Sequence, residues 1–323
     1  MAERRNQDAG LLDAMMADLG GPRTATLLQR LSVAVDWKKV AAPIRRLAEY
    51  APRKGAGRPA WPAETMLRCL MLAKWHNLSD PGLEEALKDR ISFRRFAGLS
   101  FTDRTPDETT FVNFRKRLRE ADLDEAIFKA INRQIEAKGL LVREGTLVDA
   151  TVVEAPRGRD RNDGTTTRDP EASSTVKSGR AYFGYKGHLA VDLSGIVTDM
   201  RFSTASDHDS RHIDELIERE RKMVVADSAY SDAQRRQRLR RRGIVDGITH
   251  KRVRGQAALR AEQKRHNARF ARLRARVEHP FAMIKQQCGL RRVRYRGRRR
   301  NEFDFRMTVA ACNIKRSLSL AGI

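Results

Sequence analysis

Gly145-Thr-Leu-Val-Asp-Ala-Thr-Val-Val153 is a run of β-branched and apolar residues with a single acid, Asp149, near its centre. Such a run suits a central β-strand. A second run of the same kind, Met223-Val-Val-Ala226, closes on another acid, Asp227. Its length and continuous apolar character suit a short strand buried on both faces. An ionised carboxylate in an apolar setting is costly unless it is paired, hydrogen-bonded or bound to metal. Two acids placed on two such strands therefore call for something that compensates them.

Working outward, residues 154–180 are rich in Arg, Asp, Gly, Thr and Ser, have no periodic apolar pattern, and read as a mobile loop. Tyr182 to Leu193, the turn Ser194-Gly195, and Ile196 to Ser203 read as a β-hairpin. Asp209-Ser210 is placed to cap a helix carrying Ile213, Leu216 and Ile217. A basic helix over about 231–242 and a strand over about 244–249 follow Asp227. From about Gln256 to Cys288 the spacing of Phe270, Leu273, Val277, Phe281, Ile284 and Cys288 predicts one long basic helix, with Glu278 beside the apolar stripe. Pro280 removes a helical hydrogen bond and predicts a kink or restart just after Glu278. Strand, hairpin, helix, strand, helix, strand and long helix make an α/β plan with a mixed sheet flanked by helices.

The amino-terminal part reads differently. Met66, Leu67, Leu70, Met71 and Lys74 keep helical spacing in a segment opened by Pro62 and ending near Asn77, and a second helix is expected from Leu83 to about Phe96. Thr105-Pro-Asp-Glu108 fits a capping box ahead of Phe111, Phe114 and Leu118. The shift from helices to strands sets a boundary near 140: an all-helical domain over 1–140, then an α/β domain over 141–323. Short helices joined by tight turns permit a helix-turn-helix and equally a plain bundle.

The chain has 323 residues, with 65 Lys and Arg against 41 Asp and Glu, a formal charge of +24. That excess favours a polyanionic partner, nucleic acid first. No apolar run approaches the roughly 18 residues of a membrane span, and the first ten residues lack the apolar core of a signal peptide, so a cytoplasmic, nucleoid-associated protein without membrane contact is expected. Cys69, Cys288 and Cys312 are far apart and read as buried, reduced thiols. Basic runs at Arg235 to Arg242, Lys251 to Arg254 and Arg291 to Arg300 are expected to meet phosphates, with Arg291, Arg292 and Arg294 among the contacts.

Adjacent strands could bring Asp149 and Asp227 together, and Glu278 from the helix would complete a three-carboxylate oxygen site suited to magnesium or manganese. Two such cations about 4 Å apart can activate a water or a 3′-hydroxyl and stabilise the leaving oxygen of a phosphodiester. Taken singly, each acid has a plain explanation, a turn cap or an ion-pair partner. Arg274 and Lys285 lie four residues before and seven after Glu278, on nearly the same helix face. His208 and His212 have helical spacing, but no H-E-x-x-H surrounds them.

The segments LVDAT, FGYKGHLAVD, VVADSAY and RARVEHPFAMIK, in this order, resemble the catalytic domain of the DDE transposases of bacterial insertion sequences, the insertion-sequence-5 type in particular. DETTFVNFRKRL is similar to the amino-terminal domain of the same proteins. The resemblance implies an RNase H-like catalytic domain behind a helical DNA-binding domain, with Asp149, Asp227 and Glu278 as the triad and two divalent cations, Mg²⁺ or Mn²⁺ in its place. It also implies that Arg274 and Lys285 contact DNA phosphates near the cleavage point. Lys186 of the YKGH segment is expected on DNA too, with Tyr185 and His188 supporting the acids from behind. Ala271 stands where the family often has a tyrosine. The implied activity is binding of terminal inverted repeats, hydrolysis of the element ends and joining of 3′-hydroxyls to target DNA by a homodimer or larger complex. A nuclease of the same fold without strand transfer, and a DNA-binding regulator without catalysis, are the alternatives.

Overall fold

The computed structural model describes residues 25–50, 59–177, 179–252 and 255–322. The chain forms two compact units, Met1–Ala137 with Arg306–Ile323, and Lys138–Phe305. The closing helix, Arg298–Leu320, begins in the second unit and from Arg306 belongs to the first. The α/β unit therefore ends at Phe305, where the sequence pattern carried it to the last residue.

In the helical unit the expected periodicity holds: Met66, Leu67, Leu70 and Met71 of helix Ala63–Trp75 are all buried. Trp37, Trp75 and Phe96 meet edge to face with centroids 5.4 to 6.4 Å apart, a geometry that adds to the apolar area they bury. The Trp75 indole donates to the Ala311 carbonyl at 2.9 Å. Two expectations need correction. The segment 83–96 is not one helix but Asp80–Asp89 and Ile91–Ala97, broken at Arg90, whose backbone is extended. The helix Glu108–Glu120 is capped by Asp107, whose carboxylate accepts from Thr110 N at 2.6 Å, rather than by Thr105. Aspartate next to the first turn offers a charged acceptor to the unpaired N–H groups there and wins over a more distant hydroxyl.

The second unit is built on a six-stranded mixed sheet: β1 Thr146–Glu154, β2 Ser173–Lys177, β3 Arg180–Val191, β4 Val197–Thr204, β5 Met223–Ala226 and β6 Val245–Ile248. The order is β2-β3-β1-β5-β6, with β4 also on β3. β3 is antiparallel to β1, β2 and β4, whereas β1, β5 and β6 are parallel. Antiparallel β4, β3 and β1 continued by parallel β5 and β6 give the RNase H-like plan, to which β2 adds a further antiparallel strand on β3. The β3–β4 turn is organised by Asp192, whose carboxylate accepts from Ser194 N and Ile196 N at 3.0 and 2.7 Å.

Residues 154–180, expected as a loop, carry β2. Its polar sequence, Ser-Ser-Thr-Val-Lys, hid it from a pattern search, as befits a strand at the edge of a sheet. Asp169 in the same stretch is buried and accepts from the Tyr185 hydroxyl at 2.7 Å and from Gly297 N at 2.8 Å. Both glycines of FGYKG are steric necessities. A Cβ on Gly187 would lie 2.1 Å from the Phe305 ring, and one on Gly184 2.2 Å from the Val153 carbonyl oxygen.

The expected long helix 256–288 is also interrupted. It runs Ala261–Ala275, turns tightly through Arg276 and Val277, and restarts as Glu278–Ala282 before a widened turn over Met283–Gln287. The break precedes Glu278 instead of following it. Proline has no N–H for the carbonyl four residues back, and its ring clashes with that carbonyl. For Pro280 that carbonyl is on Arg276, where the break lies.

Candidate active site

β1 and β5 are parallel neighbours with Val148 opposite Ala226. The next residue on each strand is an acid, so Asp149 and Asp227 emerge side by side. Side chains alternate along a strand, and the pair therefore faces away from the apolar layer formed by Val148, Ala190, Val224, Ala226, Leu239 and Ile248. Asp149 is half-buried, and one carboxylate oxygen accepts from Ala150 N at 2.7 Å. Burial pushes its pKa up to about 6; Asp227 and Asp209 push the same way, while the Ala150 N–H and Lys177 oppose them. Asp227 caps the single turn Ser228–Tyr230 by accepting from Ala229 N at 2.7 Å. The turn fixes where its carboxylate stands.

Glu278 is not brought to this pair. It is exposed at the first position of its short helix. Among the described residues no group of three or more His, Cys, Asp and Glu side chains is close enough to hold a metal ion. The two aspartates offer hard oxygen donors, and the raised pKa of Asp149 is that of a carboxylate held out of water, with the Asp227 charge adding to the effect. Both features fit a divalent cation. The pair supplies two of the expected ligands, and the third stands apart.

The expected basic contacts separate into two kinds. Arg274 Nη1 donates to Thr249 Oγ1 at 3.2 Å, and Thr249 Oγ1 donates to the Ala226 carbonyl at 3.2 Å, so Arg274 is tethered beside the end of β5. Lys285 is half-buried, and burial, then Lys177 and Arg291, lower its pKa while Glu154 and Asp149 oppose. It thus lies within reach of the Asp149 charge. Arg291, Arg292 and Arg294 are exposed. The backbone around them adds to the end of β1: Glu154 N donates to the Arg291 carbonyl at 3.1 Å and Val293 N to the Glu154 carbonyl at 2.8 Å. Lys186, by contrast, is committed to the protein, with Nζ 2.9 Å from Asp209 Oδ1 and 2.8 Å from the Asp207 carbonyl.

His188 is wholly buried opposite Ala150, its Nε2 2.9 Å from Ser203 Oγ and its ring 4.4 Å from that of His212. Burial, then His212, pushes its pKa down to about 3, so it is a neutral core imidazole at physiological pH. Tyr185 anchors Asp169 and stacks on Phe202 at 5.3 Å. Both support the sheet.

Asp209, Tyr230 and Arg235 take roles that the sequence reading did not give them. Asp209 reads as a helix cap there, yet its charge acts on Asp149. Tyr230 lies in the VVADSAY segment with its ring in the core. Arg235, expected on phosphate, is buried and clips two turns together: Nη1 donates to the Tyr230 carbonyl at 2.7 Å, Nη2 to the Ser210 carbonyl at 2.8 Å, and Nε to Asp214 at 2.9 Å.

Residues 141–314 match the family model of the transposase DDE domain, and residues 21–117 match that of a transposase domain (DUF772). Among solved structures, the piggyBac transposase in a synaptic complex with hairpin DNA aligns over 90% of this chain and 73% of its own, at 12% identity and a TM-score of 0.44. No helix among the described residues is long and apolar enough to cross a membrane.

Proposed function

This chain belongs to the transposases with a DDE domain, and on that premise we propose that it binds the terminal inverted repeats of its own mobile element, hydrolyses the strand ends and joins the 3′-hydroxyls to target DNA. The observation that carries the site assignment is the pairing of Asp149 and Asp227 at the seam between β1 and β5, with the pKa of Asp149 pushed up to about 6. Membership of this family implies divalent metal ions; Mg²⁺, with Mn²⁺ as a substitute, suits the oxygen donors.

When bound, the cations would supply activation of the attacking oxygen and stabilisation of the leaving one. Asp149 and Asp227 hold them, and the Ala150 and Ala229 N–H groups orient the two carboxylates. Glu278 joins the pair from its short helix when DNA is bound, the break at Arg276 and Val277 leaving that helix separate from Ala261–Ala275. Arg274 and Lys285 take phosphate oxygens beside the acids, and Arg291, Arg292 and Arg294 track the flanking backbone. The helical unit supplies further DNA contact. Because two element ends are processed together, the working species is a dimer or larger complex on DNA, at the nucleoid.

The test is an end-labelled duplex carrying the element terminus, incubated with Mg²⁺ and target DNA. Wild-type protein yields 3′-hydroxyl ends and joined products, and Glu278→Gln yields neither while binding the duplex as tightly. Wild-type rates in Glu278→Gln would remove Glu278 from the site. Cleavage without any joined product by the wild type would reduce the activity to that of a nuclease.

A further inference from the structure

Exposed helix faces in this chain balance their charges at helical spacing: Lys88 pairs with Glu84, Lys116 with Glu120 and Lys129 with Glu125. The helix Ala261–Ala275 departs from that habit. Only Phe270 of it is buried, and Lys264, Arg265, Arg269 and Arg272 are all exposed. None of these four pairs with an acid among the described residues, and Glu262, the one acid of the helix, leaves Arg265 three residues on unpaired. Arg265, Arg269 and Arg272 are spaced by four and three residues and so form one stripe. Like charges at this spacing repel and destabilise the helix that bears them. A repulsion that no acid relieves is a cost to the folded chain alone, and a polyanion would lift it.

The stripe faces away from the sheet. On the sheet side Phe270 is buried, His266 Nε2 lies 2.7 Å from the Asp246 carbonyl, and Arg274 reaches Thr249. Arg272 and Arg274, two residues apart, point to opposite sides of the helix, about 10 Å across. Exposed Ala268 lies between Arg265 and Arg272, so nothing bulky keeps a ligand off the helix there. From Arg265 to Arg272 the helix rises about 10 Å, roughly three phosphate steps of 3.4 Å along one DNA strand. Guanidinium groups match phosphates but read no sequence. The helix's two amides are spent on the protein, Gln263 on Arg260 N and Asn267 on the backbone of His250. We propose that Arg265, Arg269 and Arg272 hold the phosphate backbone of target DNA. A stripe without base-reading side chains suits a duplex that is bound whatever its sequence, and its direction sets it apart from the acids where the element end is cut. The inference rests on the reading that this chain joins element ends to target DNA.

The experiment uses the full chain, Mg²⁺, a labelled duplex carrying the element terminus and a separately labelled target duplex. Wild type is compared with Arg265→Ala/Arg269→Ala/Arg272→Ala and with Arg265→Lys/Arg269→Lys/Arg272→Lys, which keeps the charge. The alanine variant is expected to melt no lower than wild type, because alanine favours the helix and ends the repulsion. Its binding and cleavage of the element terminus are expected within about twofold of wild type, and its joined product to fall at least tenfold. Affinity of the complex holding the cleaved end for the target duplex is expected to lose about 0.9 of its slope against log salt for each contact removed. The lysine variant is expected to join within about fivefold of wild type. Wild-type joining by the alanine variant overturns the inference, as does a lysine variant impaired as deeply as the alanine one. A lower melting temperature of the alanine variant makes the stripe structural and overturns it too. Equal losses of cleavage and joining place the stripe on the element end instead. A wild type that cleaves and never joins removes target DNA from the reaction, and the inference falls together with the proposed joining while the acid pair stands.

Discussion

Arg235 to Arg242 and Arg291 to Arg300 are arginine-rich runs of the same α/β unit, close in composition and both expected on phosphate, yet they are used in opposite ways. In the first, Arg235 pairs with Asp214, Arg236 pairs with Asp246 at 2.6 Å and donates to the Ile248 carbonyl, Arg238 pairs with Asp214, and Arg242 donates to the Glu218 and Glu220 carbonyls. In the second, Arg291, Arg292, Arg294, Arg296, Arg298 and Arg300 are exposed. The difference lies in the elements that surround them. The first run is a helix packed on the sheet, where acids and open carbonyl ends of neighbouring strands await donors. The second starts beside the end of β1, where the backbone of Arg291 and Val293 pairs with Glu154, and runs into the closing helix with most of its arginines exposed, Arg296 reaching the Thr166 carbonyl at 3.4 Å. A net charge of +24 thus overstates what is available to DNA, because part of it is internal structure.

That contrast can be broken most forcefully at Arg236. It and Asp246 are each about 10% exposed, so Arg236→Ala strands a buried carboxylate and is expected to cost about 4 kcal/mol in urea unfolding. Arg235→Ala leaves Asp214 half-exposed and still paired with Arg238, but takes the donor from the Tyr230 and Ser210 carbonyls, and about 2 kcal/mol is expected. A loss below roughly 1 kcal/mol in either would mean that the run is not structural.

An effect of opposite sign is expected at Asp149. Its folded pKa is raised, so between about 3.8 and 6 the folded state holds the proton that the unfolded state has released, and stability falls as pH rises through that window. Asp149→Asn removes the penalty. Without divalent cations it is expected to stabilise the protein by on the order of 2 kcal/mol at pH 7 and by nothing at pH 3.5. Equal melting curves of variant and wild type at pH 7 would contradict the cost of holding the Asp149 carboxylate, ionised, in its buried place beside Asp227.

The weakest effect on folding belongs to the second run. Arg291→Ala, Arg292→Ala and Arg294→Ala are each expected to change stability by less than about 0.5 kcal/mol. Each should lower the slope of log affinity against log salt by about 0.9 for every phosphate contact removed. Unchanged salt slopes in all three would take this run off the DNA.

Most of the sheet was legible because its signals are local. β1, β5 and β6 announce themselves by apolar and β-branched runs, and Asp149 and Asp227 stand out as acids within such runs. β2 was not, since an edge strand of Ser, Thr and Lys satisfies water on one side and needs no apolar pattern. The helix break was foreseen from Pro280 but placed on the wrong side of Glu278: the clash acts on the carbonyl of Arg276, four residues earlier. Asp209, Tyr230 and Arg235 were illegible as a group because their roles depend on two turns meeting in space, about 20 residues apart in sequence. Arginine carries the same five donors whether its acceptors are carbonyls or phosphates.

The account depends most on Asp149 and Asp227 acting together on a cation. Calorimetric titration of Mn²⁺ into wild type and into Asp149→Asn/Asp227→Asn, both verified as folded by thermal melting, tests this directly. A saturable site in the wild type that vanishes in the double variant is the predicted result, and an unchanged site in the double variant would contradict it.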